Sequence, residues 1–195
     1  DYFCVNVSSP NTEDLRRLQE GDQLSGLLDR VCRQREFLDS KTGKKTPLLI
    51  KIAPDWKDDA LEQSIERLKP FPLDGIISTN TTLSRSGLNN PLSRESGGLS
   101  GKPLLESSNR IVRTIYRELG TRMPILGVGG IFTAEDAYQK IKAGASAVQI
   151  YTGLVYEGPG LVMRIKKGLA RLLKEEGLPN ITAAIGIEAN QSSQS

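Results

Sequence analysis

The sequence contains no histidine, and this absence removes several common kinds of active site. Without an imidazole, neither a Ser-His-Asp triad nor a Cys-His nucleophile can be assembled. The usual histidine-ligated zinc site is excluded for the same reason, and we expect no metal site. Any acid–base chemistry must therefore use serine, lysine, tyrosine, aspartate or glutamate side chains.

Cysteine is scarce, and long apolar runs are missing. Cys4 and Cys32 are the only two cysteines, and both lie in apolar patterns. We expect them to be small core residues rather than a disulfide framework, which fits a reducing compartment. No apolar run approaches the ~18–20 residues that a membrane-spanning helix requires.

The sequence also carries little net charge. Its 26 lysines and arginines against 23 aspartates and glutamates leave a net charge of +3. The basic residues are spread over helical patterns such as RIKKGLARLLKEEG, which favours solvated helix faces over a nucleic-acid surface. We therefore expect no nucleic-acid partner.

What the sequence does contain is an alternation of short apolar runs with helical patterns. The runs, which predict strands, span residues 1–7, 46–54, 74–80, 123–130 and 147–153. Between them, apolar residues recur at helical spacing, as in Leu24, Leu28 and Cys32. Thr133 with Asp136 predicts a capping box. Strands alternating with helices indicate a parallel sheet, either open and doubly wound or part of a (β/α)8 barrel.

Distinctive residues crowd the carboxyl end of each predicted strand. They are Asn6, Lys51, Thr79, Asn80, Thr81, Gly129, Gly130, Tyr151 and Thr152. Active sites of parallel α/β folds lie at this edge. Alternation places Leu49 with Lys51 on one face, and Ser78 with Asn80 on one face. In a barrel, Asn6, Lys51 and Asn80 would then converge above the interior.

The last two strand ends predict a phosphate site. GVGGI leaves backbone N–H groups bare, YTG follows the next strand, and GPGLV opens a helix whose N-terminus favours negative charge. Barrels bind phosphate between the loops after strands seven and eight. The chain would then begin at strand four. Because it also starts with Asp1 and not Met, we expect an internal or C-terminal piece of a longer protein.

The sequence resembles class 2 dihydroorotate dehydrogenases in six motifs that occur in the family's order: NVSSPNT, LLIKIAPD, DGIISTNTT, GGLSGKPL, GVGGI and VQIYTG. Each motif alone is modest, but the six together are highly specific. The resemblance implies that residues 1–186 form the C-terminal portion of an FMN-binding (β/α)8 TIM barrel, about strands 4 to 8. The polar residues 187–195 are expected to form a frayed tail.

The resemblance also implies a role for each site residue. Ser9 matches the catalytic base, and Thr12 a threonine that relays its proton. The substrate contacts implied are Asn6, Asn11, Asn80 and Thr81. The flavin contacts implied are Asn6, Lys51, Thr79, Gly101, Gly129, Gly130, Tyr151 and Thr152.

The implied reaction is the FMN-dependent oxidation of (S)-dihydroorotate to orotate in pyrimidine synthesis. A proton leaves one ring carbon and a hydride passes from the next to flavin N5. A fixed ammonium such as Lys51 would stabilise the charge that develops near flavin N1 and O2. Ser9 stands where class 1 members carry cysteine, which implies quinone as the electron acceptor. Peripheral contact with a bacterial or mitochondrial membrane would come from the family's N-terminal helical region.

Two alternatives remain open from the residues. Another FMN barrel is possible, although an α-hydroxy-acid oxidase needs a histidine base, and a dihydrouridine synthase needs a basic face and a cysteine acid. A catalytically silent, phosphate-binding half-barrel gives no reason for Ser9, Lys51 and Asn80 to occur together. The polar segment 84–98 is expected to frame or cover the site.

Overall fold

Five short parallel strands form the sheet in the computed structural model, which describes residues 1–19 and 21–189. The strands are β1 (Phe3–Asn6), β2 (Leu48–Ile52), β3 (Gly75–Ser78), β4 (Ile125–Val128) and β5 (Ala147–Gln149). Their spatial order is the same as their order along the chain. A doubly wound sheet reverses its order at a switch point, whereas a barrel does not. The order therefore favours consecutive units of a barrel.

The strand register separates an apolar face from a face that carries polar residues at β1 and β2. One row across the sheet consists of Val5, Ile50, Ile76 and Ile125. The next row, on the opposite face, consists of Asn6, Lys51, Ile77, Leu126 and Ala147. The first row packs in the main hydrophobic core. The second row lines the concave face, which would be the interior of a barrel.

Helices cover the apolar face. They are α1 (Gly21–Thr42), α2 (Asp58–Leu68), α3 (Leu105–Leu119), α4 (Ala134–Lys142), α5 (Thr152–Glu157) and α6 (Leu161–Glu175). Short 3-10 turns lie at Leu15–Gln19, Pro91–Arg94, Lys102–Leu104, Gly120–Arg122 and Ile181–Ala184. Leu28, Ile65 and Ile115 are fully buried against the strands, as their helical spacing predicts. The capping box is confirmed: Thr133 Oγ1 accepts the Asp136 N–H at 3.1 Å.

The sheet curls strongly about its concave face. Tyr2 precedes β1 and Gln149 ends β5, so the two residues belong to opposite margins of the sheet. Nevertheless, the Gln149 Nε2 donates a hydrogen bond of 2.8 Å to the Tyr2 Oη. A flat five-stranded sheet would hold these margins roughly 20 Å apart, since neighbouring strands are about 4.8 Å apart. This curvature is typical of a barrel wall.

Two predictions about side-chain direction are wrong. Cys4 is exposed and is not a core residue, because its pairing with Leu49 places it on the concave face. Ser78 is fully buried on the helix face, because Lys51 is in register with Ile77. Alternation counted back from Asn80 fails because the paired strand ends at Ser78.

The packed chain extends beyond residue 186, where the sequence placed its end. Glu188 forms an ion pair of 2.6 Å with Lys142, and its N–H donates to the Lys142 carbonyl at 3.0 Å. Ala189 is fully buried. Residues 187–189 are therefore anchored by α4, and the remainder of the predicted tail, 190–195, lies outside the described residues.

Within residues 1–19 and 21–189, no helix combines the length and the apolar character needed to cross a bilayer.

Candidate active site

Two adjoining features occupy the carboxyl edge of the sheet. The first is a cluster of asparagine and serine side chains above β1, β2 and β3. The second is a cavity of about 240 Å³ above β3, β4 and β5. Asn80 and Thr81 belong to both, because they line the cavity and Asn80 hydrogen-bonds into the cluster. The two features therefore meet at the end of β3.

The amide–serine cluster is built around Asn6. Its Oδ1 accepts hydrogen bonds from Ser8 Oγ at 2.9 Å and from Asn80 Nδ2 at 3.3 Å. Asn80 Nδ2 also donates to Ser8 Oγ at 3.1 Å, while its Oδ1 accepts the Thr81 N–H at 2.8 Å. These contacts fix both amide planes, so their unused donors and acceptors have defined directions.

Ser8 and Ser9 are adjacent but lie in different environments. Ser8 is fully buried within the cluster. Ser9 is half-buried, and its Oγ accepts the backbone N–H of Asn11 at 3.2 Å. The Ser9 oxygen therefore has one fixed donor, and its own proton is not used by another described residue. Thr12 is exposed, and its side chain has no hydrogen-bond partner among the described residues.

The loop after β3 closes against the loop after β1. Gly98 N–H donates to Asn11 Oδ1 at 3.1 Å. Thr82 and Leu99 form an antiparallel bridge that joins the base of the segment 84–98. Arg85 holds the segment together from inside, with its Nη2 donating to the Gly97 carbonyl at 2.7 Å. The carboxyl end of this segment therefore contacts one of the predicted substrate residues, and its role in framing an active site stays a prediction.

The cavity collects the residues that the sequence assigned to a flavin, apart from Asn6. It is lined by Lys51, Thr79, Asn80, Thr81, Ser100, Gly101, Leu104, Val128, Gly129, Gly130, Ile131, Gln149, Ile150, Tyr151, Thr152 and Gly153. Thr79 is buried, and its N–H donates to the Val128 carbonyl at 3.2 Å, which joins the ends of β3 and β4. Lys51 is half-buried, with no hydrogen-bond or ion-pair partner among the described residues.

Glycines form one wall of the cavity because side chains cannot fit there. Gly130 has φ +74°, and a Cβ would lie 2.5 Å from the Leu105 Cβ at the start of α3. Gly129 has φ +116°, and a Cβ would lie 2.9 Å from Leu104. Within the described residues, neither glycine N–H has a hydrogen-bond partner. Bare N–H groups at the wall of a cavity are suited to an anion such as phosphate.

The helix that begins at GPGLV does not contribute as the sequence predicted. A short helix, α5, begins at Thr152 directly after β5, and it is Tyr151, Thr152 and Gly153 that line the cavity. The segment Gly158–Leu161 leads into α6 and does not line this cavity. The wall predicted to contact a phosphate therefore consists of the GVGG turn and the start of α5.

Sequence reasoning missed several residues that the structure brings to the site. Ser100 lines the cavity, and Thr152 Oγ1 donates to its Oγ at 2.9 Å. Its place beside Gly101 in GGLSGKPL could have indicated this role. Arg16 and Asp55 form an ion pair of 2.6 Å between the loops after β1 and β2. They are 39 residues apart, and no local pattern pairs them.

Comparison with known proteins decides the family. The model of the family described as dihydroorotate dehydrogenase matches residues 1–173. This chain belongs to the dihydroorotate dehydrogenase family. The match favours this family over the other FMN barrels that the residues had left open.

Named relatives agree with the family. A dihydroorotate dehydrogenase (quinone) from Trichodesmium erythraeum is 48% identical over 195 residues, which covers 96% of this chain and 50% of the relative. A protein of the same name from an Anaeromyxobacter species is 49% identical over 189 residues, covering 96% of this chain and 51% of the relative. The chain thus spans about half the length of the curated relatives it matches.

A solved structure confirms the fold. The crystal structure of DHODH from Eimeria tenella in complex with ferulenol superposes with a TM-score of 0.92 at 37% identity. The superposition covers 97% of this chain and 54% of the Eimeria chain. The five strands and their helices therefore form part of a (β/α)8 barrel.

Proposed function

We propose that residues 1–186 supply part of the active site of a quinone-dependent dihydroorotate dehydrogenase, which oxidises (S)-dihydroorotate to orotate in pyrimidine synthesis. The observation that carries this proposal is the position of Asn80. Its side chain hydrogen-bonds within the amide–serine cluster and also lines the glycine-walled cavity. A substrate held by the cluster would therefore lie against a group held in the cavity.

The cavity residues fit FMN. The family is flavin-dependent in general, and the bare N–H groups of Gly129 and Gly130 suit the phosphate of a mononucleotide. Thr152 and Ser100 offer hydroxyl groups at the same wall. When bound, FMN would supply a two-electron acceptor for the hydride that leaves the substrate. Lys51 places an unpaired ammonium at the cavity, where it favours an anionic ring.

The amide–serine cluster fits the substrate. Dihydroorotate carries an imide-like edge with alternating N–H and C=O groups, and asparagine amides offer both a donor and an acceptor. Asn6, Asn11, Asn80 and Thr81 are the residues that we propose bind this edge. Because Asn6 and Asn80 fix each other, they are oriented before the substrate arrives, which lowers the cost of binding.

Ser9 is the proposed base. A serine hydroxyl is a weak base, so the negative charge that develops on its Oγ needs a donor. The Asn11 N–H supplies one at 3.2 Å. As the Ser9 oxygen takes the substrate proton, its own proton must leave. We assign the exit to the exposed Thr12 and to solvent.

Quinone is the proposed final acceptor. The relatives are named dihydroorotate dehydrogenase (quinone), and this chain carries the serine that the class 2 resemblance requires. We place the quinone site and a peripheral membrane contact in parts of the full-length protein outside residues 1–195.

Steady-state oxidation of dihydroorotate by the intact protein tests this proposal. A ubiquinone analogue, fumarate and NAD⁺ are offered in parallel at equal concentration. The proposal expects turnover with the quinone to exceed turnover with either soluble acceptor. Faster turnover with fumarate or NAD⁺ would overturn the quinone assignment, and no oxidation with any acceptor would overturn the activity itself.

A further inference from the structure

Arg16 connects three loops at the edge of the sheet. It lies in the 3-10 turn Leu15–Gln19, beyond the serine loop. Its Nε donates to the Ser8 carbonyl at 3.1 Å, and its Nη2 donates to the Thr81 carbonyl at 2.7 Å. Its Nη1 forms an ion pair of 2.6 Å with Asp55. One guanidinium thus joins the loops that follow β1, β2 and β3.

Asp55 extends the same connection. Its Oδ2 accepts the Leu83 N–H at 3.0 Å in addition to the arginine, and its Oδ1 accepts the hydroxyl of Thr82. The carboxylate therefore fixes the chain immediately after Thr81. The side chains of Arg16 and Asp55 are only 20% and 27% exposed, so solvent screens this pair less than a fully exposed one.

The two carbonyl groups that Arg16 binds adjoin the proposed catalytic groups. Ser8 precedes the proposed base, Ser9, and Thr81 follows Asn80. The contact between Asn80 Nδ2 and Ser8 Oγ, at 3.1 Å, depends on the spacing of these two loops. The planar guanidinium sets that spacing through donors in a fixed fork, which the single ammonium of a lysine cannot reproduce.

We infer that Arg16, held by Asp55, is a positioning residue that sets the distance between the base loop and the substrate-amide loop. This inference rests on the proposed function. Arg16 does not line the cavity assigned to the flavin, so its role concerns dihydroorotate and not cofactor retention. A displacement of about 1 Å in such a site costs up to ~10²-fold in rate.

The test compares Arg16→Lys and Asp55→Asn with the wild type in the intact, flavin-loaded protein. Arg17→Ala is the matched control, because Arg17 lies on the same turn in an exposed ion pair with Asp14. The readouts are kcat and KM for dihydroorotate, the affinity for orotate measured by perturbation of the flavin spectrum, the flavin content, and hydrogen exchange of segments 7–12 and 79–83.

We expect Arg16→Lys to lower kcat by about 10- to 100-fold and to weaken orotate binding, at unchanged flavin content. Segments 7–12 and 79–83 should exchange faster, whereas segment 128–131 should not change. Asp55→Asn should show a smaller effect of the same kind, and Arg17→Ala should match the wild type.

Two results would overturn the inference. One is wild-type kcat, orotate affinity and exchange in Arg16→Lys. The other is a loss of activity that only follows a loss of flavin or of folded protein in both Arg16→Lys and Asp55→Asn. A wild type that does not oxidise dihydroorotate would instead refute the proposed function. In that case, faster exchange in Arg16→Lys that is confined to segments 7–12 and 79–83 would still show that Arg16 sets the spacing of these loops.

Discussion

Neighbouring serines show how local contacts divide roles between identical side chains. Ser8 is fully buried and is bonded to two asparagines, so its hydroxyl supports the amides. Ser9 is half-buried, with one backbone N–H directed at its oxygen. Position, rather than residue type, is therefore the reason for proposing Ser9 as the base.

Replacing each serine by alanine should separate these roles. Ser9→Ala should leave flavin bound but slow flavin reduction by dihydroorotate by ~10²–10⁴-fold, the usual cost of losing a general base. Ser8→Ala should mainly raise KM, because Asn6 and Asn80 lose their shared hydroxyl partner. Stopped-flow absorbance of the flavin, recorded over a range of dihydroorotate concentrations, measures the effect in both variants. Near-normal reduction in Ser9→Ala would contradict the assignment.

Lys140 is a charged residue type in an unusually buried position. It is fully buried, and its Nζ donates to Asn109 Oδ1 at 2.7 Å and to Ser108 Oγ at 2.9 Å. Ser108 Oγ in turn donates to the carbonyl of Val128 at 2.5 Å, directly before Gly129 and Gly130. Burial lowers the pKa of Lys140 from 10.5 to about 7, opposed by the more distant Glu106 and Asp136.

This pKa predicts a pH dependence of stability. Between about pH 7 and pH 10.5 the unfolded lysine binds more protons than the native one, so the free energy of unfolding should rise with pH across that window. The slope is at most about 1.4 kcal/mol per pH unit. Urea unfolding of the intact protein from pH 7 to 9.5 measures it against Lys140→Met, which should lack this rise. Equal slopes in the two proteins would contradict the prediction.

At the scale of elements, the glycine turn after β4 depends on its contact with α3. The turn approaches Leu105 so closely that only a hydrogen fits at Gly130. Gly129 and Gly130 both line the cavity, and neither N–H has a hydrogen-bond partner among the described residues. The proposed anion site therefore depends on the β4–α3 packing and not on the glycines alone.

Gly130→Ala should displace this turn. The new methyl group would lie 2.6 Å from the Leu105 N, and the φ of +74° is unfavourable for alanine. We expect FMN binding to weaken by about tenfold, the factor that 1.4 kcal/mol represents. Gly26→Ala in α1 is the control, because nothing lies within 4 Å of its Cβ position. It should stabilise the protein by up to about 1 kcal/mol. Fluorescence titration measures the FMN affinity of both variants. Equal affinities would contradict the proposed anion site.

The elements also show which parts of the site a sequence can reveal. The parallel strands and their polar carboxyl ends could be predicted, because alternation and strand ends are local patterns. Lys51 and Asn80 were located in this way. The bond between Ser8 and Asn80 joins residues 72 apart, and the Arg16–Asp55 pair joins loops of different units. Such contacts depend on the curvature of the sheet, which no short pattern specifies.

For the whole molecule, the outer strands are the exposed features of the sheet. β1 and β5 are the margins of the described sheet. Phe3, the first residue of β1, is 64% exposed. Of the concave row, Asn6 and Ala147 at its two ends are exposed, whereas Ile77 at its centre is 3% exposed. Open strand edges promote association between chains.

Residues 1–195 expressed alone should therefore self-associate and retain no FMN. Size-exclusion chromatography with light scattering, and absorbance of the eluted protein near ~450 nm, measure the two properties. The intact protein serves as the reference. A monodisperse monomer of residues 1–195 that retains FMN stoichiometrically would contradict this account of the open strand edges.

The central claim is that the amide–serine cluster and the glycine-walled cavity are two halves of one site that meets at Asn80. Anaerobic mixing of the intact protein with dihydroorotate, followed by flavin absorbance, tests it most directly. The wild type should lose its flavin absorbance, whereas Asn80→Ala should keep its flavin and be reduced at least about tenfold more slowly. Reduction of Asn80→Ala at the wild-type rate, or no reduction of the wild type by dihydroorotate, would contradict the account.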